Sequence, residues 1–337
     1  MKSYYAFMDI IISHKAALEA IRQPSTWNRL GRPAAPVVAA PAKMPGADVL
    51  RRIEALGICA KKPVSVLVSS KSATHLSSRV VPHVWSRDLP PGAVFEVAPG
   101  IGCASPLFLP FLFAPKLERE DLSFLLSELM GLYAFAPSGD LLQRPRPLID
   151  ETGIKTFASS LHGARGSAGV RKALQDAVAM AASPMEVCLC LRATRSFAQG
   201  GYRMGEVVLN GDVAVSRFEG SGRRGQIRRP DLMFEGPGGK ACLDYMGAHH
   251  AGTIQKDARR RNELLSAGIT PYEIFKEEYD DLSYMDSLMA SIRRDIGLPG
   301  HDARGLRGEK ERSARRALWE DLERRRARGW ESRPEAW

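Results

Sequence analysis

The stretch "RRPDLMFEGPGGKACLDYMGAHH", residues 228–250, decides the reading of the C-terminal half of the chain. Two short apolar runs, "DLMF" and "ACLDYM", flank a Pro/Gly-rich turn, the pattern of a β-hairpin. Residues two apart in a strand share a face, so Cys242, Asp244 and Met246 point one way while Leu243 and Tyr245 point the other. With the turn at "EGPGGK", Asp231 and Asp244 converge at one end of the hairpin. Carboxylate oxygens so placed suit Mg²⁺ or Mn²⁺, an ion that activates water and stabilises charge on a scissile phosphate. "GPGGK" lacks the spacing of a phosphate loop and lies between two strands, so it reads as a turn.

Working outward, "SPMEVCLCLR" (183–192) opens a helix with a Ser183 cap, Pro184 at the first helical position and Glu186 three residues after the cap. Glu186 is therefore both a capping-box residue and a candidate third carboxylate. "EVVLNGDVAVSRF" (206–218) reads as a strand bent or turned at Asn210-Gly211, a pair that favours a tight hairpin. After the opening stretch come a helix "TIQKDARRRNELLSAG" ended by Gly268, a strand "ITPYEIF" and a helix "DLSYMDSLMASIRRDIG". The order helix, strands, helix, strand, helix predicts an α/β layer arrangement. His250 is the candidate proton-transfer group and Arg260 the candidate phosphate clamp. Arg228, Arg229, Lys256 and Arg261 are further candidate nucleic-acid contacts, with a solvated helix face as the alternative for "DARRRN".

Towards the N-terminus, "SHKAALEAIR" (13–22) and residues 47–57 predict helices, with a Pro/Ala-rich connector between them. "VSVLVSS", "RVVPHVW" and "AVFEVAP" are Val-rich strands of a small mixed sheet. "SPLFLPFLFA" and "REDLSFLLSELMGLYAF" predict apolar helices, the second with acidic residues in its first turn. "PSGDLLQRPRP" (137–147) has the composition of a domain boundary. The expected organisation is an N-terminal mixed helical and α/β domain over 1–150, regulatory or DNA-binding-like. A second α/β domain with a central mixed sheet flanked by helices follows over 151–300, and a charged, arginine-rich tail, solvated or disordered, over 301–337.

The 337 residues are 44% hydrophobic, an ordinary globular composition. Five cysteines without metal-ligand spacing argue against a disulfide framework and a zinc site, and imply a reducing, cytoplasmic compartment. No apolar run reaches membrane length; "YYAFMDIIIS" is interrupted by Asp9. The net charge of +10 and pI near 9.5 point to a polyanionic partner, with plain solubility in a composition rich in Arg and Ala as the alternative.

Several of these pieces occur together in one family. Ser183-Pro184-Met185-Glu186, the "GGY" at 200–202, "RPDL" at 229–232, "LDYMGAHHAG" at 243–252, "DARRRNELLSAG" at 257–268 and "ITPYEIF" resemble, in order, bacterial proteins with a DUF559-type domain. That domain is similar to very-short-patch repair endonucleases and belongs to the PD-(D/E)xK restriction-endonuclease-like group. The similarity covers about residues 183–297. It implies an endonuclease-like fold and Mg²⁺-dependent phosphodiester hydrolysis, in phage defence or DNA repair. Its functional positions would be Glu186, Asp231, Asp244, His250, Asp257 and Arg260, with Asp231 and Asp244 on the metal. The N-terminal half is similar, more loosely, to AbiEi-type proteins of abortive-infection systems, which implies a partner protein of a toxin–antitoxin or defence system.

The chain departs from the family pattern at two positions. Asp244 stands where the family has glutamate, and Met246 stands where it has a second acid, and a thioether does not hold Mg²⁺. Lys240 shares the parity of Asp244 but lies roughly 13 Å along the strand. Two readings follow: a nuclease with a depleted site, and a catalytically degenerate DNA-binding or antitoxin-like regulator.

Overall fold

The computed structural model describes residues 8–30, 39–58, 63–75, 77–161, 163–219, 222–247, 254–302 and 304–328, with backbone alone for 216–219, 222–225 and 254–257. The chain is mixed α/β, with mixed sheets flanked by helices, and divides after Ala179 into two compact units.

The first unit contains β1 (Ile10–Ile12), α1 (His14–Arg22), α2 (Pro24–Trp27), α3 (Ala47–Ala55), β2 (Val64–Val68), β3 (Val80–Val84), β4 (Val94–Ala98) and β5 (Ile101–Ala104). It continues through α4 (Leu109–Phe113), α5 (Arg119–Leu129), β6 (Tyr133–Phe135), β7 (Leu141–Gln143), α6 (Glu151–Ser160) and α7 (Ser167–Leu174). Its five-stranded sheet runs β3-β2-β1-β5-β4, with β1 parallel to β5 and antiparallel to β2. The short "DIII" run is thus the central strand, and Ile10, Ile11 and Ile12 are at most 1% exposed.

Two expectations fail in this unit. "PSGDLLQRPRP" is not a boundary: Leu141–Gln143 pairs with β6, and Arg144 just beyond it donates from Nη1 to the Glu128 carbonyl at 2.9 Å. Arg22 meets the same Glu128 with two hydrogen bonds of 2.7 Å, so a buried carboxylate between two arginines ties the segment inward. Residues 151–179 also belong to this first unit, because α7 packs on α5 and α4 and α6 packs on α7. Charged and Pro-rich letters disguised a hairpin whose anchors are ionic. Elsewhere in the unit, the His14 and His83 rings stack with centroids 3.6 Å apart. Burial, with Lys116 nearby, lowers both pKa values, that of His83 to about 4.

The second unit contains α8 (Pro184–Thr194), β8 (Val207–Leu209), β9 (Val213–Glu219), β10 (Gly222–Arg228), β11 (Leu232–Gly236) and β12 (Gly239–Tyr245). It then runs through α9 (Ile254–Ser266), β13 (Ile269–Ile274), α10 (Lys276–Asp280), α11 (Leu282–Asp295) and α12 (Gly305–Arg328). A four-stranded sheet in the order β13-β12-β11-β8 forms the middle, parallel between β12 and β13 and antiparallel elsewhere. Helices α8, α9 and α11 pack on β8, β13 and β12 respectively.

"EVVLNGDVAVSRF" is not one hairpin. β8 joins the central sheet, whereas β9 pairs over its full length with β10 in a separate two-stranded ribbon. Asn210 between them takes a left-handed φ of 50° and redirects the chain. Nor is 301–337 a solvated tail throughout. α12 packs against α8 and the segment at 197–200, and its less exposed residues recur at spacings of three and four: Gly308, Glu311, Arg315, Leu318, Leu322 and Arg325. Within that stripe only Leu318 and Leu322 are large apolar residues, and each is at most 5% exposed.

Candidate functional site

The turn of the opening stretch is two residues long, Pro237-Gly238, closed by the Gly236–Gly239 pair. The register pairs Leu232 with Leu243, so the next position back sets Asp231 against Asp244 at the open end of the hairpin. The two acids interlock through the backbone. The Asp231 amide donates to Asp244 Oδ1 at 3.0 Å, and the Tyr245 amide donates to Asp231 Oδ2 at 2.7 Å.

Parity brings α9 into the site. Cys242, two residues before Asp244, is buried with Val215, Leu264 and Ile269. Leu264 lies one helical turn beyond Arg260, so the side of α9 that covers Cys242 also carries Arg260 towards Asp244. Arg260 Nη2 reaches Asp244 Oδ2 at 2.9 Å, where the carboxylate is 7% exposed and the arginine about one-third. Arg260 is thus placed as a counter-ion to Asp244 rather than as a clamp open to a phosphate.

Glu186 approaches from the start of α8. Ser183 Oγ accepts from the Glu186 amide at 3.2 Å and donates to Glu186 Oε1 at 2.9 Å. Glu186 Oε2 accepts from the Ala182 amide at 2.7 Å and from Asn210 Nδ2 at 2.6 Å. Its capping role is therefore structural in full, and Asn210 is a partner the sequence did not reveal. The Asn-Gly pair suggested a turn, and nothing in the spacing showed that the amide would reach a helix cap.

Three carboxylates in one neighbourhood raise one another's proton affinity. Burial, then Glu186 and Asp244, push the Asp231 carboxyl up to about 7. Burial, aided by Asp244, also raises Glu186 above its ordinary value. These groups are close enough to feel each other's charge, and each accepts at least one internal hydrogen bond.

That engagement does not fit a divalent ion. Asp244 is held by an amide and a guanidinium, Glu186 by two amides, a hydroxyl and an amide side chain, and Asp231 by an amide through one oxygen. Met246 adds no oxygen. Among the described residues no group of three or more His, Cys, Asp and Glu side chains is arranged to hold a metal.

The cationic candidates separate. Arg228 donates from Nε to Glu263 Oε2 at 2.9 Å, and Glu263 is fully buried, so this arginine is an internal partner of α9. Arg229 is exposed and pairs with Asp212, while Arg261 is exposed on α9. His250 lies outside the described residues, as do the side chains of Lys256 and Asp257. Lys240 pairs across the hairpin with Glu235 at 3.0 Å, away from the acids. Among the described residues no helix is long and apolar enough to cross a membrane. No protein-family model, curated protein or solved structure matches the chain.

Proposed function

We propose that the chain is a DNA-binding protein built on a nuclease-type hairpin whose acids are held by internal partners, the degenerate member of the two readings. One observation carries the proposal. The Asp244 carboxylate, the residue on which a catalytic ion would depend, is already neutralised by Arg260 at 2.9 Å. What supports DNA as the partner is the excess of ten positive charges and the arginines Arg223 and Arg224 in the sequence of β10, whose ribbon with β9 is of a kind that the major groove of B-DNA admits.

The test measures binding of a labelled duplex by fluorescence anisotropy between low and physiological salt, beside cleavage of plasmid and of mismatched duplex in Mg²⁺ or Mn²⁺. The reading expects affinity that falls linearly with salt on logarithmic axes, and intact DNA throughout. Salt-independent binding would overturn the DNA assignment. Metal-dependent cleavage abolished by Asp231→Ala would establish the nuclease reading instead, which the mutual charge coupling of Glu186, Asp231 and Asp244 favours.

A further inference from the structure

The second unit holds a cavity of about 520 Å³ between α11, α12 and the segments around Phe197 and His301. It lies within the roughly 300–1,000 Å³ typical of small-ligand sites. None of the hairpin acids lines it.

Each acid in its wall already has a donor. Asp286 accepts from the Tyr202 hydroxyl at 2.8 Å and faces Arg315 Nη1 at 3.3 Å. Glu311 is met by His301 Nε2 at 2.7 Å and Arg307 Nε at 3.1 Å, and Asp302 by Arg304 Nε at 2.7 Å. The arginines are not matched in the same way. Arg293 donates to the carbonyls of Tyr202, Arg203 and Pro299, which fix its position without cancelling its charge. Arg294 and Arg312 are exposed on the wall, and no carboxylate pairs with either among the described residues. Arg315 Nε is buried there without an acceptor. Beside these cations the Phe197 and His301 rings stack face to face, 3.5 Å apart and 6° from parallel, with the Arg293 guanidinium 5.6 Å from the Phe197 centroid, so His301 carries the outer face of the stack.

We propose that this cavity binds a phosphate ester of a planar group, of mononucleotide size, with Arg294 and Arg312 on the phosphate and the outer face of the Phe197–His301 stack beside the ring. Unpaired guanidiniums prefer phosphate because its oxygens accept their paired N–H groups, and a flat aromatic face adds stacking. The ligand is either a free nucleotide or the terminal nucleotide of a strand, and the inference does not depend on how the hairpin acids function.

Isothermal titration of the full chain with dAMP, with inorganic phosphate, and with a short oligonucleotide bearing or lacking a 5′-phosphate tests this. Expected is dAMP binding tighter than about 1 mM, with inorganic phosphate at least about tenfold weaker. Arg294→Ala with Arg312→Ala should weaken dAMP at least about tenfold. Lys240→Ala, on the exposed side of the hairpin, should bind dAMP as the parent does. Tighter binding of the 5′-phosphorylated oligonucleotide than of the same oligonucleotide lacking that phosphate assigns the site to a strand end, and equal binding of the two assigns it to the free nucleotide. No dAMP binding, equal affinity for inorganic phosphate, undiminished binding by the double variant, or loss in Lys240→Ala would each overturn the proposal. Circular dichroism melts of the variants show that they are folded.

Discussion

Replacing Arg260 by alanine removes a guanidinium that lies 2.9 Å from the Asp244 carboxylate, a group only 7% exposed. Stripping one partner from a fully buried pair costs roughly 3–5 kcal/mol. Arg260 is about one-third exposed, so solvent screens the pair, and the Asp231 amide still holds the other oxygen of Asp244. A cost of about 2 kcal/mol is the reasonable discount. For a unit of 150 residues that corresponds to a fall in Tm of about 4–8 °C. Thermal unfolding followed by circular dichroism measures it, and a double-mutant cycle isolates its origin. In an Asp244→Asn background the same Arg260→Ala change should cost under about 0.5 kcal/mol, because no charge is left to strand. A shift below about 1 °C, or an equal loss in both backgrounds, would refute the view that this ion pair, rather than a metal, neutralises the hairpin.

Asp231→Asn probes the same neighbourhood through pH. The folded chain holds the Asp231 proton up to about 7, above the ordinary carboxylate value, so this group's contribution to stability is present in acid and lost as pH rises through 7. The asparagine variant should therefore be more stable than the parent by about 4 kcal/mol at pH 8, with little gain at pH 4, as read from urea midpoints. In the first unit the sign is opposite. With the His83 pKa lowered to about 4, its contribution is present above the ordinary histidine value and lost as pH falls towards 4. The parent should lose about 3 kcal/mol over that interval and His83→Phe should lose distinctly less, measured by the same denaturation. Gly200→Ala tests the seat of α12, since Gly200 has φ +83° and a Cβ there would overlap the Ala314 carbonyl oxygen. A loss of about 2–3 kcal/mol and faster tryptic cleavage within α12 are expected, and parent-like resistance would count against the docking described.

The hairpin was legible because its signals are local. A Pro/Gly turn between apolar runs set the register, and the register set Asp231 against Asp244. The Ser183 cap was legible for the same reason. What escaped depended on partners distant in sequence. Asn210 reaches Glu186 across 24 residues, and Arg228 reaches Glu263 across 35. The central strand β1 escaped because three isoleucines are too short a run to show a period. The division after Ala179 escaped because the apparent boundary at 137–147 is anchored by a buried arginine and glutamate, residues that composition assigns to the surface. α12 escaped for a related reason, since its inward stripe alternates ion-paired residues with leucines and the apolar period is lost among the charges.

That stripe changes where the protein can be cut. A fragment stopped near residue 300, at the edge of the similarity read from the sequence, would strip Leu318 and Leu322 from α8, ten of whose residues are buried in the full chain. Such a fragment would display an apolar helix and be prone to self-association. The smallest piece that keeps the hairpin together with its whole core begins at Met180 and runs to the end of α12.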